Sequence, residues 1–195
     1  MLLVFDTETT GKWDFRGTIG ERHQPRLVQL AAILVQNTGN ISINYIIKPN
    51  GFTIPDEVAK IHGITNERAM EEGVPIEAVL KHFNLLAYQA DEDKDGWLIA
   101  HNFNFDFNIL MNEHYLRRED SSYLGLLKPY CTMRAATKHC RLPNPNPRFS
   151  AYKWPTLQEA YRHFYGKDFK GAHDALNDVN ACLAVYHAIQ KAESV

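Results

Sequence analysis

The opening stretch, Met1 to Gly11, constrains this chain more than any other. Leu2 to Phe5 is an unbroken apolar run with a β-branched residue and an aromatic, the make-up of a buried strand. Asp6 and Glu8 follow two positions apart, and side chains at i and i+2 of a strand leave the same face. The strand therefore ends in two carboxylates side by side. At ~5 Å and an effective dielectric of about 20, two such charges repel by roughly 3 kcal/mol. A divalent cation is the usual way to offset that repulsion, because hard Mg2+ and Mn2+ prefer oxygen donors. Taken alone, a D-x-E pattern more often belongs to a polar turn, here one that closes at Gly11, so further ligands must be sought downstream.

A chain of 195 residues, 45% hydrophobic and 23% charged, suits one α/β domain over residues 1–195 that buries its core without staples. A formal net charge of −2 excludes a polycation that coats nucleic acid nonspecifically. It does not exclude a nuclease that gathers acidic ligands, because bound cations restore local positive charge. Cys131, Cys140 and Cys182 are odd in number and far apart, so neither a zinc ribbon nor a disulfide framework is indicated, and a reducing, cytoplasmic setting is expected. The N-terminus has no basic region and its apolar run breaks at Asp6, which argues against a signal peptide. No apolar stretch approaches the length of a membrane span, so no membrane partner is expected.

Residues 12–26 form a polar loop carrying Lys12, Arg16, Arg22, His23 and Arg26, either a solvated connection or a contact for a phosphate backbone. Leu27 to Val35 is a second apolar strand. After a turn at Asn37–Asn40, Ile41, Ile43, Tyr45 and Ile47 alternate along a third. These three predict an antiparallel meander. A short helix is expected from Asp56 to His62, then a turn through Ile61–Thr65, with His62 by default a capping or surface residue. Pro75 opens an amphipathic helix with Ile76, Val79, Leu80, Phe83 and Leu86 on one side. Asp91–Gly96 resembles the start of a calcium loop, but its twelfth position is Asn102 and the segment enters a strand at Trp97–Ala100, so it reads as a solvated turn.

His101-Asn-Phe-Asn-Phe-Asp106 closes that strand. Asn102 or Asn104 can cap a helix running to about Arg118, which puts Asp106 in its first turn. A short strand near Tyr130–Met133 leads into a helix through His139. Residues 142–155 hold four prolines and interleave Arg148, Phe149, Tyr152, Lys153 and Trp154. Cations mixed with aromatics suit single-stranded nucleic acid, and equally suit a surface loop packed on the core. Thr156 caps a helix to about Tyr165. Gly171-Ala-His-Asp-Ala-Leu-Asn-Asp178 then leads a helix to about Lys191, with His173 ahead of it and Asp178 one turn in.

Asp6, Glu8, Asp106 and Asp178 all fall at strand ends or first helical turns, positions that gather at one edge of an α/β sheet. Four acids and a histidine in one cleft fit metal-assisted hydrolysis. The patterns Asp6-Thr-Glu8-Thr-Thr-Gly, His101-Asn-x-x-Phe-Asp106 and His173-Asp-Ala-x-x-Asp178 closely resemble the three motifs of the DEDDh 3′→5′ exonucleases, which include the proofreading subunit of bacterial DNA polymerase III. Order and spacing agree from Leu2 to about Ile189, and Ile61–Thr65 resembles the segment that lies near the terminal nucleotide in that family.

The resemblance implies a ribonuclease H-like α/β fold, a mixed five-stranded sheet with helices on both faces. It implies two Mg2+ ions, with Mn2+ able to substitute. Asp6, Glu8 and Asp178 would hold the ion that binds the attacking water, and Asp6 with Asp106 the other. His173 would be the general base, a role that suits imidazole, which titrates near ~6.5 in water. Thr9, Thr10, Ile61, His62 and Asn102 would contact substrate. The expected partner is a nucleic-acid 3′ end, single-stranded DNA first and RNA on the same scaffold second. A non-catalytic binding module is disfavoured, since it has no need to keep every ligand. The loops at 12–26 and 142–155 exceed what a minimal member needs. The chain stops soon after its last helix, which favours a free-standing enzyme and leaves a polymerase or a second copy of the chain open as a partner.

Overall fold

The computed structural model describes residues 1–92, 94–146, 148 and 150–194. Five strands, β1 (Leu2–Thr9), β2 (Leu27–Val35), β3 (Ile41–Ile46), β4 (Trp97–Ala100) and β5 (Lys128–Cys131), form one mixed sheet in the order β3-β2-β1-β4-β5. β1 pairs antiparallel with β2 and parallel with β4; β3 is antiparallel to β2, and β5 is parallel to β4. The carboxylate strand is thus central. Seven helices complete the described chain: α1 (Asp56–His62), α2 (Asn66–Glu72), α3 (Ile76–Ala90), α4 (Phe103–Arg117), α5 (Thr132–Cys140), α6 (Leu157–Tyr165) and α7 (Ala175–Glu193). This is the ribonuclease H-like arrangement that the motifs implied, with an antiparallel meander of the first three strands.

The alternation of β1 decides which side chains go where. Leu3 and Phe5 leave one face into a core with Val79, Leu80 and Phe83 of α3 and Ile109 and Leu110 of α4. The Phe5 ring lies 5.5 Å from that of Phe83 and 6.1 Å from that of Phe103, distances of tilted and edge-on aromatic contact. Val4 leaves the other face, where it meets Ile33, Ile99 and Ala175, Val179 and Cys182 of α7. By the same alternation Thr7 follows Phe5 towards α4, while Asp6 and Glu8 follow Val4 towards α7. The pairing slips just beyond the acids: Glu8 is opposite Gln29 but Thr9 is opposite Leu27, which leaves Val28 as the extra residue of a bulge. Bulges of this kind are used to re-aim side chains beside active sites.

Several local expectations need correction. Helix α2 fills the stretch between the turn at Ile61–Thr65 and the helix opened by Pro75, where no element was expected. Its sequence carries no apolar stripe, since Ala69 is its buried residue; Thr65, whose hydroxyl accepts from the Arg68 N–H, is what starts it. Asn102 takes the cap position of α4 but in the left-handed region (φ 66°) and without a side-chain capping bond. His62 is buried, not a surface residue. The loop at 12–26 is not simply a basic, solvated one: Trp13 and Gln24 are buried, and Arg26 clasps the buried Glu113 of α4 through two bonds of 2.7 and 2.8 Å. A 3₁₀ turn at Ser122–Gly125 was not anticipated. Of the calcium-like segment, Asp93 lies outside the described residues, as do Pro147 and Phe149 of the proline-rich loop. Among the described residues no helix is long and apolar enough to cross a membrane.

Candidate active site

β1 and β4 run parallel, so their C-terminal ends stand together and the turn into α4 lies beside Asp6 and Glu8. Asp106, in the first turn of α4, is 3% exposed. Its Oδ1 accepts from both the backbone N–H of Thr7 (3.2 Å) and the Thr7 hydroxyl (2.7 Å). The residue between the two strand acids therefore points to the opposite face and fastens the third acid. Oδ2 takes part in neither bond.

The fourth acid and the histidine arrive from α7. Asp174 caps that helix, accepting from the Asn177 N–H, and His173 ahead of it sits in the left-handed region (φ 67°). Such a conformation is uncommon for a residue with a Cβ and tends to occur where a side chain has to be aimed. The His173 N–H donates to Asp178 Oδ2 at 3.2 Å. Ligand atoms of Glu8, His173 and Asp178 all lie within 4.8 Å of one another. Gln29, opposite Glu8 on β2, holds this end of α7 to the sheet. Its Oε1 accepts from the Ala175 N–H at 3.3 Å, and its Nε2 donates to Asn44 Oδ1 at 2.8 Å and approaches Asp174 Oδ2 at 3.5 Å.

Crowding and burial make these acids reluctant to ionise. Burial, then the nearby Asp106, Asp178 and Glu8 charges, hold the Asp6 carboxyl well above the usual carboxylate range. Burial and Asp178 push Glu8 to about 8. Burial raises Asp106 to about 7 against the opposing Thr7 bonds. Burial raises Asp178 to about 6, with the His173 N–H bond opposing. Desolvation and like charge act together here, and a divalent cation would relieve both. A second observation fits such an ion: Asp178 Oδ1 is buried without a hydrogen-bond partner among the described residues.

The remaining sequence-predicted residues border this cluster. Thr9 is buried, and its hydroxyl donates to the Gly11 carbonyl at 2.6 Å. Thr10 binds Arg26 twice, its N–H donating to the Arg26 carbonyl and its hydroxyl accepting from the Arg26 N–H. His62 Nδ1 accepts from the Ile64 N–H at 3.1 Å, which places the proton of the neutral ring on Nε2. That Nε2 is buried with no hydrogen bond of good geometry among the described residues, burial lowers the imidazole pKa, and the nearby Thr9 backbone opposes that shift. Ile61 beside it is 57% exposed. Asn102, half-buried, stands between His101 and α4. Sequence reasoning missed Thr7 and Gln29; the signal for Gln29 was its standing as the one polar residue in the run Leu27–Val35.

Three ordered motifs have thus come to one edge of the sheet. The exonuclease family model RNase_T matches residues 3–186. The chain belongs to this exonuclease family. An uncharacterized exonuclease, CP81, of Escherichia phage 186 is 27% identical over 196 residues, covering 97% of this chain and 88% of that protein. Among solved structures, E. coli Exonuclease I in complex with a dT13 oligonucleotide superposes with a TM-score of 0.73 at 20% identity, over 97% of this chain. The zinc-ion-bound form of the Exonuclease I–single-stranded DNA complex superposes with a TM-score of 0.72 at 19% identity, over 99% of this chain. The chain spans only 40% and 41% of the length of those two structures, and at such identity the likeness is one of fold.

Proposed function

We propose that this protein is a metal-dependent 3′→5′ exonuclease that releases nucleoside 5′-monophosphates from single-stranded DNA. The observation that carries the reading is the convergence of Glu8, His173 and Asp178 within 4.8 Å at the end of the strand that also bears Asp6. The ligands run from residue 6 to residue 178, so the site uses the chain as one exonuclease domain.

Asp6, Glu8, Asp106 and Asp178 would hold two Mg2+ ions, or Mn2+ in their place, which would polarise the scissile phosphate and neutralise charge developing on the attacking and leaving oxygens. His173 takes the proton of the attacking water as general base, and the carboxylates of Glu8 and Asp178 beside it stabilise the imidazolium that results. Thr7 keeps Asp106 in place, and Gln29 keeps the α7 end that carries His173 and Asp178. Buried His62, beside the Thr9 backbone, shapes the wall of the terminal-nucleotide site, and exposed Ile61 packs on the sugar or base. The turn at Thr9 and Thr10, with Asn102 opposite, borders the same end. DNA is favoured as substrate by the likeness to Exonuclease I, whose solved complexes contain DNA oligonucleotides.

The test is product analysis on DNA and RNA oligonucleotides of identical sequence, which differ locally in the 2′-OH. The expected result is nucleoside 5′-monophosphates from the DNA strand, with Mg2+ required. Release from the RNA strand alone would transfer the reading to an RNA exonuclease. Internal fragments without mononucleotides would contradict exonucleolytic action.

A further inference from the structure

Helix α5 and the proline-rich loop that follows it make a surface that the catalytic residues do not use. Arg134 and Lys138, four apart, share one face of α5, and Arg141 follows as the left-handed cap (φ 49°) at the end of the helix. With Tyr130 and Tyr152 they line an open cleft of about 790 Å³. Trp154 stands at its side, 60% exposed, with the Arg134 guanidinium 5.7 Å from its ring centroid. Lys138 is neutralised by Glu193 at 2.7 Å, and Arg141 Nε donates to the Lys138 carbonyl. Among the described residues no carboxylate lies within salt-bridge distance of Arg134 or Arg141. On a chain of net charge −2, these are two unneutralised guanidinium groups beside exposed aromatic rings.

The surface is fastened to the catalytic edge of the sheet. His101, at the end of β4, donates from Nε2 to the Pro155 carbonyl at 3.0 Å, and its Nδ1 accepts from the Thr132 hydroxyl at 2.9 Å. A carbonyl can only accept, so this tautomer follows. Burial lowers His101 to about 4, which makes it a neutral clasp at working pH. Thr132 begins α5, Pro155 ends the loop, and His101 lies in the same turn that delivers Asp106. From that edge Arg134 and Lys138 lie ~6 Å apart along the helix axis, and Arg141 follows at the helix end.

We propose that this ledge carries the single DNA strand upstream of the nucleotides held at the carboxylates. Arg134 and Arg141 take its phosphates, and Trp154 and Tyr152 stack its bases. The planar guanidinium fork matches phosphate, and aromatic faces accept any base, so the ledge would hold a strand without reading its sequence. The inference rests on the exonuclease reading for the direction in which the strand runs.

The experiment is fluorescence anisotropy with a 5′-labelled 20-nucleotide dT strand in EDTA over a range of salt, so that binding is read apart from the metal site. The proteins are wild type, the double variant Arg134→Ala/Arg141→Ala, Trp154→Ala, and the conservative pair Arg134→Lys/Arg141→Lys and Trp154→Phe, each checked for an unchanged melting temperature. The double variant is expected to bind roughly tenfold or more weakly, with a salt slope shallower by about 0.7 for each phosphate it no longer neutralises. Trp154→Ala is expected to weaken binding roughly fivefold or more, and the conservative variants to recover most of each loss. Wild-type affinity and slope in all variants would overturn the ledge, as would a wild type that does not bind the strand. A wild type that binds but never shortens the strand in Mg2+ contradicts the exonuclease reading, while the ledge still stands or falls on its variants.

Discussion

The hydroxyl of Thr7 donates to Asp106 Oδ1 at 2.7 Å, joining residues 99 positions apart in sequence. The residue that separates the two strand acids thus fixes the third from behind. Groups that orient a ligand in this way typically matter by about 10–100-fold in metal affinity or activity. Thr7→Val keeps the volume, loses the hydroxyl and leaves Asp106 with the backbone N–H alone. The Mg2+ concentration for half-maximal activity should rise about tenfold or more, and Thr7→Ser should restore it. An unchanged Mg2+ titration would remove Thr7 from the positioning role.

Gln29 is the corresponding anchor for α7. Gln29→Leu leaves the Ala175 N–H and the Asn44 side chain without their partner inside the protein. Asn44 is exposed and turns to water, but the buried Ala175 N–H left unpaired costs about 1–3 kcal/mol. The melting temperature should fall, and hydrogen exchange should quicken at the first turn of α7 before it does in β1. Turnover should drop with it, because His173 and Asp178 depend on that end of the helix. Faster exchange spread evenly over the sheet would point to a general core defect.

The pH dependence of stability has a definite sign. Glu8, Asp106 and Asp178 have folded-state values raised to about 8, 7 and 6, above those of an unfolded chain. Raised carboxyl groups contribute stability that is fully present below their unfolded pKa of about 4 and is lost as pH rises through the folded values. In EDTA the melting temperature should therefore decline between pH 5 and 8 on account of these groups. Mg2+ should reverse that decline, most strongly at the alkaline end, and its binding should release protons. Equal Mg2+ stabilisation at pH 5 and pH 8 would contradict the assignment of these acids as its ligands.

Arg26 should prove structural. Its guanidinium clasps Glu113, whose side chain is 1% exposed. Removing one partner of a buried pair costs about 3–5 kcal/mol where it strands the other charge, but here Arg117 Nε at 4.0 Å and the Leu27 N–H at 3.1 Å still hold Glu113. Arg26→Ala should lower denaturant stability, by less than that figure because Glu113 keeps those two partners. Any change in DNA affinity should match the fraction unfolded, with the salt slope of binding unaltered. A shallower slope in the fully folded variant would return Arg26 to the phosphate-binding groups.

What could be read in the sequence was what depends on local pattern. The apolar run ending in Asp6 and Glu8, the strand at Leu27–Val35 and the Thr156 cap each carry their signal within a few residues. The spacing of the three motifs was legible too, and with it the meeting of Asp6, Glu8, Asp106, His173 and Asp178. What was hidden depends on register and on partners far along the chain. Thr7 could not be seen reaching Asp106 without knowing which face α4 covers. Gln29 stood out as polar in an apolar strand, but its bonds to Ala175 and Asn44 need the sheet order. Helix α2 was hidden because it buries little, and Arg26 read as basic surface because nothing local announces Glu113.

The central claim is metal-dependent removal of nucleotides from a 3′ end with His173 as base, and one gel tests it. A 5′-labelled single-stranded DNA oligonucleotide and its 3′-labelled twin are incubated with wild type and His173→Ala, in Mg2+ and in EDTA. The expected result is a ladder that shortens stepwise on the 5′-labelled strand, immediate release of a labelled mononucleotide from the 3′-labelled strand, and no reaction in EDTA. His173→Ala should keep the wild-type melting temperature and slow the ladder by roughly 10²–10⁴-fold. A ladder on the 3′-labelled strand, a reaction that persists in EDTA, or near-normal rates in His173→Ala would contradict the account.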